Sequence, residues 1–302
     1  MEIKLPEISE VELAKIKKEK LKDILSDEEI NAIIREHNFT KEDIEKNLYH
    51  FVQYLNQRRH CEGCKSIANC KKSGSHLIFK LKIDENKNVK TILAKCDKQK
   101  EIDKITSKYL VKQFNDEVLY NSLKSCLDYF AIERHNIIKR LLEFKNNPSS
   151  RSVYLYGNPE NGKSHILKVF SGFLAKQEHT KSIAFVDCSD ELEYMQKMYS
   201  TDEDYYNYYV EVYRNVQYLF LDDLGKEFKN KSTLEDILLP LIKYRNEKGL
   251  VTFISSSVSI KDIPNIYGFG REMKSVAYLL MNELSSNFDE YYLGGMKYSI
   301  LK

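Results

Sequence analysis

Over the first sixty residues, apolar side chains recur every three or four positions behind polar starts. Ser9 with Glu12 has the spacing of a capping box, and Val11, Leu13, Ile16, Leu21 and Leu25 follow as the buried side of a first helix. Ser26 with Glu29 repeats the signature before Ile30, Ile33 and Ile34. Thr40 with Asp43 starts a third helix carrying Ile44, Leu48, Phe51, Val52 and Leu55. The period then changes to two. Leu77, Phe79, Leu81 and Ile83 alternate with Ile78, Lys80 and Lys82, Asp84–Asn88 has turn chemistry, and Val89–Lys95 reads as the return strand. Residues 97–128 are charged and weakly patterned, a linker merging into a helix that ends near Pro148.

Beyond residue 150, short apolar strands alternate with helical patterns. Strands are predicted at Val153–Tyr156, Ser182–Asp187, Val216–Leu221, Leu250–Ile254 and Asp289–Leu293, and helices at His165–Ala175, Glu191–Met198, Leu234–Lys248 and Val276–Leu284. Continuous apolar strands spaced by helices mean a parallel sheet covered on both faces. The expected architecture is α/β, a P-loop parallel sheet with flanking helices, preceded by a small helical domain with a β-hairpin. The expected boundaries are 1–108 for the N-terminal domain, 109–130 for a linker and 131–302 for the nucleotide domain.

Two stretches carry chemistry. The first is Gly157-Asn158-Pro159-Glu160-Asn161-Gly162-Lys163-Ser164, a G-x-x-x-x-G-K-S loop between a strand and a helix that opens with His165. Backbone N–H groups of such a loop, together with an open helix N-terminus, favour an anion. Lys163 is placed to reach the β- and γ-phosphates of ATP, and Ser164 to offer a hydroxyl to Mg²⁺. The second is Val216–Leu221 ending in Asp222-Asp223. The carboxyl ends of parallel strands open onto the ligand crevice. Asp222 is expected to hold Mg²⁺ through its water shell and Asp223 to orient an attacking water. The competing reading of two acids after a strand is a helix cap. Tyr205, Tyr206, Tyr208, Tyr209 and Tyr213 form an aromatic stretch, read as partly buried packing with base stacking as the alternative.

Composition narrows the rest. The chain has 302 residues, 42% hydrophobic and 30% charged, enough for two folded domains. A net charge of +2 leaves any nucleic-acid contact to a local patch. No apolar run approaches the about 20 residues of a membrane span, and the acidic N-terminus lacks the apolar core of a secretory signal; a cytoplasmic protein is expected. In that compartment the clustered cysteines suggest metal before disulfide. Cys61-Glu62-Gly63-Cys64 is half of a tetrahedral Zn²⁺ site. Folding the hairpin about Asn86 sets His76 opposite Cys96, at the about 4.5–5.5 Å of cross-strand partners. The expected zinc set is Cys61, Cys64, His76 and Cys96, with Cys70 the rival for the fourth place. It is a closed, structural site of the kind a small domain needs.

The ordered combination resembles the bacterial primosomal helicase loaders of the DnaI/DnaC type, within the AAA+ ATPases. Leu155–Ser164 is similar to that family's phosphate-binding segment, and Leu221-Asp222-Asp223-Leu224-Gly225 to its acidic strand end. Thr252–Ser257 resembles its sensor strand, and Ala277 with Leu280-Met281 its closing helix. The order Cys61, Cys64, Cys70, His76, Cys96 resembles the zinc-binding domain of the DnaI branch. The resemblance implies a role in replication initiation and primosome assembly. The N-terminal domain would bind the hexameric replicative helicase of the DnaB type. The second domain would bind ATP and single-stranded DNA, with copies associating on the helicase ring. It also puts Ser257 at the sensor position, where the family usually holds Asn, and Leu279 and Glu283 where the closing helix usually carries arginines. Arg245 and Arg271 are the candidates to replace an arginine finger. The expectation is a loader gated by nucleotide, with slow or absent turnover. The alternatives are a transposon-type ATP-dependent DNA-targeting protein of the IstB kind, or a nucleotide-binding scaffold without hydrolysis.

Overall fold

A computed structural model of the chain describes residues 9–64, 67, 70, 71, 76–127, 132–148, 151–268 and 270–294. Two compact units divide it, Met1–Glu101 and Ile102–Lys302. The first unit contains α1 (Glu10–Leu25), α2 (Glu28–Glu36), α3 (Lys41–Lys46), α4 (Leu48–Cys61), β1 (Leu77–Ile83) and β2 (Val89–Lys95), and the division falls inside α5 (Asp97–Thr106).

The first and third sequence caps form as capping boxes, Ser9 with Glu12 and Thr40 with Asp43. The second start differs: Asp27, not Ser26, caps α2, its carboxylate accepting from the Ile30 N–H at 3.0 Å. The single helix expected after Thr40 breaks at Asn47. That side chain donates to the carbonyls of Asp43 and Lys87 and accepts from the Val89 N–H at 2.9 Å. A helix break and a hairpin strand are thus fixed by one amide. Ile24, Ile30, Ile34, Ile44, Phe51, Leu55 and Val89 form the core. In α1 only the C-terminal end joins it; Val11, Leu13 and Ile16, expected inside, are exposed. β1 and β2 pair antiparallel in the expected register, Leu77 against Lys95 through Ile83 against Val89.

The second unit continues with β3 (Tyr109–Lys112), α6 (Ile132–Leu142), β4 (Ser152–Tyr156), α7 (Lys163–Ala175), β5 (Ile183–Asp187), α8 (Cys188–Thr201), α9 (Glu203–Asn215) and β6 (Tyr218–Leu224). After a π-helical turn at Thr233–Leu238 come α10 (Leu239–Glu247), β7 (Val251–Ser256), α11 (Ile263–Tyr267), α12 (Gly270–Asn287) and β8 (Phe288–Tyr292). The sheet has six parallel strands in the order β3-β5-β6-β7-β4-β8. Helices cover both faces, which explains the unbroken apolar runs of β4, β5, β6 and β7. On one face Phe144, Phe170, Phe185, Phe220 and Phe253 stack, with the Phe220 and Phe253 centroids 4.6 Å apart. On the other, Leu192, Ile237, Leu241 and Leu280 pack over Leu219, Leu221 and Ile254.

Of the expected linker, the described residues 109–127 are not free. β3 pairs with β5, and two short 3₁₀ turns, Asp116–Tyr120 and Leu123–Cys126, bury Leu119, Leu123 and Cys126. Leu119 lies so close to α7 that a Cβ on Gly172 would come within 2.9 Å of its side chain. Weak periodicity hid this segment because its strand is only four residues long and its buried positions are few. The tyrosine stretch is α9, where Tyr206 and Tyr213 are buried as packing residues.

Candidate nucleotide site and cysteine region

β4 feeds straight into the glycine loop. Gly157 has φ 145°, and a Cβ there would lie 2.3 Å from the Leu293 carbonyl oxygen. Only glycine lets the loop pass that close. The Leu293 N–H donates to the Tyr156 carbonyl at 2.7 Å, and the Asn161 amide donates back to the Leu293 carbonyl at 3.1 Å. Left-handed φ values at Glu160 (67°) and Gly162 (85°) curl the loop into the concave backbone that favours anions. Gly162 is the N-cap of α7, and no side chain satisfies the first N–H groups of that helix. Asn158, Pro159 and Glu160 form the exposed rim, while Ser164 and His165 are half-buried in the first helical turn.

Lys163 is buried and donates to the Gly157 and Asn158 carbonyls, both at 2.8 Å, bridging the loop. Burial lowers its pKa; Asp223 and Asp222 nearby oppose that, and Lys226 reinforces it. Lys163 and the twin aspartates therefore share one electrostatic neighbourhood, as the sequence reading requires.

Asp222 is 1% exposed at the end of β6. Burial raises its pKa. The Ser255 hydroxyl, the Lys168 ammonium and the Ser164 hydroxyl pull it back down, and Asp223 pushes it up. The pairing of β6 with β7 shifts by one residue between Leu221–Ile254 and Leu224–Ser256. That irregularity accommodates Asp223 at φ 58° and turns the two carboxylates to different partners. Ser255 donates to Asp222 at 2.5 Å and accepts from the Asp223 N–H at 2.9 Å. Asp223 pairs with Lys226 at 2.6 Å.

Three residues of this site went unseen in the sequence. Ser255 touches the acids; Ser257, expected at the phosphate, is exposed one residue past β7. Lys168 reaches Asp222 at 3.4 Å; its i+4 spacing from Ser164, which puts both on one helical face, was the available signal. Arg134 on α6 is buried and donates to the Asn161 carbonyl at 2.6 Å, tying that helix to the loop.

Arg245 is not placed as an arginine finger. It is fully buried, donating to the carbonyls of Tyr213, Arg214, Val216 and Val251 and to the Thr252 hydroxyl. Burial alone pulls its pKa down, to about 9, so the guanidinium stays charged at neutral pH. A group held on all sides by backbone carbonyls cannot extend to a phosphate. Arg271 is exposed at the start of α12. On the same helix Leu279 is exposed, and Glu283 accepts from Asn246 at 2.9 Å.

In the first unit each half of the expected metal set forms. The Cys64 N–H donates to the Cys61 carbonyl at 3.1 Å in a turn through Gly63, which has φ 72°. His76 lies opposite Cys96, whose N–H donates to the His76 carbonyl at 3.1 Å, and His76 Nδ1 is buried with no hydrogen-bond partner. Cys70 is half-buried, its N–H on the Ile67 carbonyl at 3.0 Å. Among the described residues, however, no three His, Cys, Asp or Glu side chains converge at metal-binding distance. Backbone hydrogen bonds fix each half. The donor types suit zinc, while their arrangement does not form a closed site. Among the described residues no helix is long and apolar enough to cross a membrane.

Residues 3–73 match the family described as the N-terminus of primosomal protein DnaI. The replicative helicase loader DnaI of Bacillus subtilis (strain 168) is 21% identical over 257 residues, 82% of this chain and 81% of that protein. A crystal structure of DnaI superposes with a TM-score of 0.53 at 22% identity, covering 62% of this chain and 98% of that one. A structural-genomics target from Streptococcus pyogenes serotype M3 superposes at 0.51 with 19% identity, over 64% and 97% of the two chains. At such identities the superpositions establish the shared AAA+ type fold. A match to the DnaI N-terminal family over residues 3–73, a relative aligned through most of the length and the common α/β fold make the chain similar to the DnaI-type primosomal proteins.

Proposed function

We propose that this protein loads a hexameric replicative helicase of the DnaB type onto single-stranded DNA during primosome assembly, gated by ATP. The observation that carries the reading is the convergence of Lys163, Ser164, Asp222 and Asp223 at the carboxyl ends of β4 and β6, behind a DnaI N-terminal domain. Lys163 exchanges the Gly157 and Asn158 carbonyls for phosphate oxygens, and the open N-terminus of α7 donates to the same oxygens. Mg²⁺, when bound, neutralises phosphate charge; Ser164 and Asp222 would hold it. Asp223 orients water once Lys226 releases it. The first unit docks the helicase, and copies associate on the ring. Zinc at Cys61, Cys64, His76 and Cys96, supported by the donor chemistry and the unpartnered His76 Nδ1, would require the two halves of the set to close on one another. We place the protein in the cytoplasm.

A second reading, nucleotide binding without hydrolysis, is favoured by one observation: Arg245 is locked in the core. An arginine finger is worth about 10³–10⁵ in rate. The test is capture of the cognate hexameric helicase by the full chain, with and without ATP, and by Lys163→Ala. Capture that responds to ATP in the wild type and not in the variant supports the loader. Capture of a transposase in place of helicase refutes it. Rapid helicase- and DNA-stimulated hydrolysis, abolished by Asp223→Asn, refutes the slow-turnover reading.

A further inference from the structure

Both oxygens of the Asp222 carboxylate are already engaged by the chain. The Ser255 hydroxyl takes Oδ1 at 2.5 Å, and the Lys168 ammonium lies 3.4 Å from Oδ2. Lys168 comes from α7, the helix that carries Lys163 and Ser164, and the spacing of four residues from Ser164 sets both on the face turned to Asp222. The Asp222 side chain is 2% exposed and that of Lys168 26%, so water and salt screen this pair far less than a surface pair. The ammonium also sits 5.8 Å from the centre of the Phe185 ring, which favours its position. At the neighbouring acid, Lys226 holds Asp223 at 2.6 Å. Three ammonium groups (Lys163, Lys168, Lys226) thus lie among the carboxylates Asp222 and Asp223, with Asp187 the strand partner of Asp222 and Glu227 buried nearby.

We infer that Lys168 is an internal cation at the metal-holding aspartate, and that it makes nucleotide binding by this protein nearly independent of Mg²⁺. The inference rests on the nucleotide-binding reading above. A divalent ion approaching Asp222 must either displace the ammonium or remain beside a like charge, and both weaken its hold. The triphosphate meanwhile finds an ammonium already beside Asp222, where the metal would otherwise stand. Lys168 acts by placing charge at Asp222, and is a positioning residue for the phosphate–metal unit.

The test is the affinity of the full chain for a fluorescent ATP analogue, titrated with Mg²⁺ or held in EDTA. Wild type is expected to change by less than about threefold between the two conditions, since tenfold would need 1.4 kcal/mol of metal contribution. Lys168→Met keeps the stem and removes the charge, and its affinity should rise on the order of tenfold with Mg²⁺. Lys168→Arg keeps the charge and should behave as wild type. Thermal melting of each variant checks the fold, and the wild-type arm decides alone if Lys168→Met fails to fold. A wild-type affinity that rises tenfold or more with Mg²⁺ overturns the inference, as does a Lys168→Met response equal to that of wild type. Absence of nucleotide binding in every protein under every condition overturns the nucleotide reading itself, a result distinct from normal binding with the wrong metal response.

Discussion

Replacing Arg245 with Met separates an architectural arginine from a catalytic one. The guanidinium makes five hydrogen bonds inside the second unit, four to carbonyls of the α9–β6 and α10–β7 connections and one to Thr252. Bonds to a charged partner are worth about 1.5–3 kcal/mol each, and every buried acceptor left bare costs about 1–3 kcal/mol. Against that stands the desolvation of an arginine with no carboxylate among its hydrogen-bond partners, which Arg245→Met relieves. The balance is a net loss of about 3–5 kcal/mol. For a unit of about 200 residues that lowers the melting temperature by roughly 10 °C. The assay is urea and thermal unfolding, followed by nucleotide affinity measured well below the new midpoint, where binding should survive within about threefold. Unchanged stability together with a collapse of any hydrolytic rate would refute the structural assignment and restore Arg245 as a finger.

Gly157→Ala should lower nucleotide affinity by at least about tenfold and destabilise the fold, because the new Cβ meets the Leu293 carbonyl at 2.3 Å; equilibrium binding and melting curves check both. Asp222 needs its charge to hold a metal, and burial raises its pKa, so the metal-dependent component of nucleotide binding expected in Lys168→Met weakens as pH falls through that raised value and recovers above it. Ser255→Ala removes the bond that holds the pKa down, and the midpoint of the same pH titration should move upward; an unmoved midpoint would dissociate Ser255 from Asp222. Elemental analysis of the purified chain should find about one Zn²⁺, lost in Cys61→Ser and in His76→Ala; a metal-free, folded wild type would remove zinc from the first unit.

The strand–loop–helix around Lys163 and the acidic end of β6 were readable in the sequence because they are local. A glycine loop between a β-period run and a helical run carries its own geometry, and a buried parallel strand announces itself by an unbroken apolar stretch. The same holds for the capping boxes at Ser9 and Thr40, where both partners lie three residues apart. The hairpin register was readable because one turn determines it, which put His76 opposite Cys96.

What tertiary structure alone decided are contacts between segments far apart in the chain. Ser255 faces Asp222 because β6 and β7 pair with Leu221 opposite Ile254, a register that no local pattern encodes. Arg245 became a core residue because carbonyls from four other residues converge on it. Asn47 divided a helix for the sake of a strand forty residues on. β3 joined the sheet because β5 offered an edge and α7 a glycine for Leu119 to fill. Periodicity records which side of an element is buried. It holds no record of which distant polar group will be waiting there, and the charges around Asp222 were set by that choice.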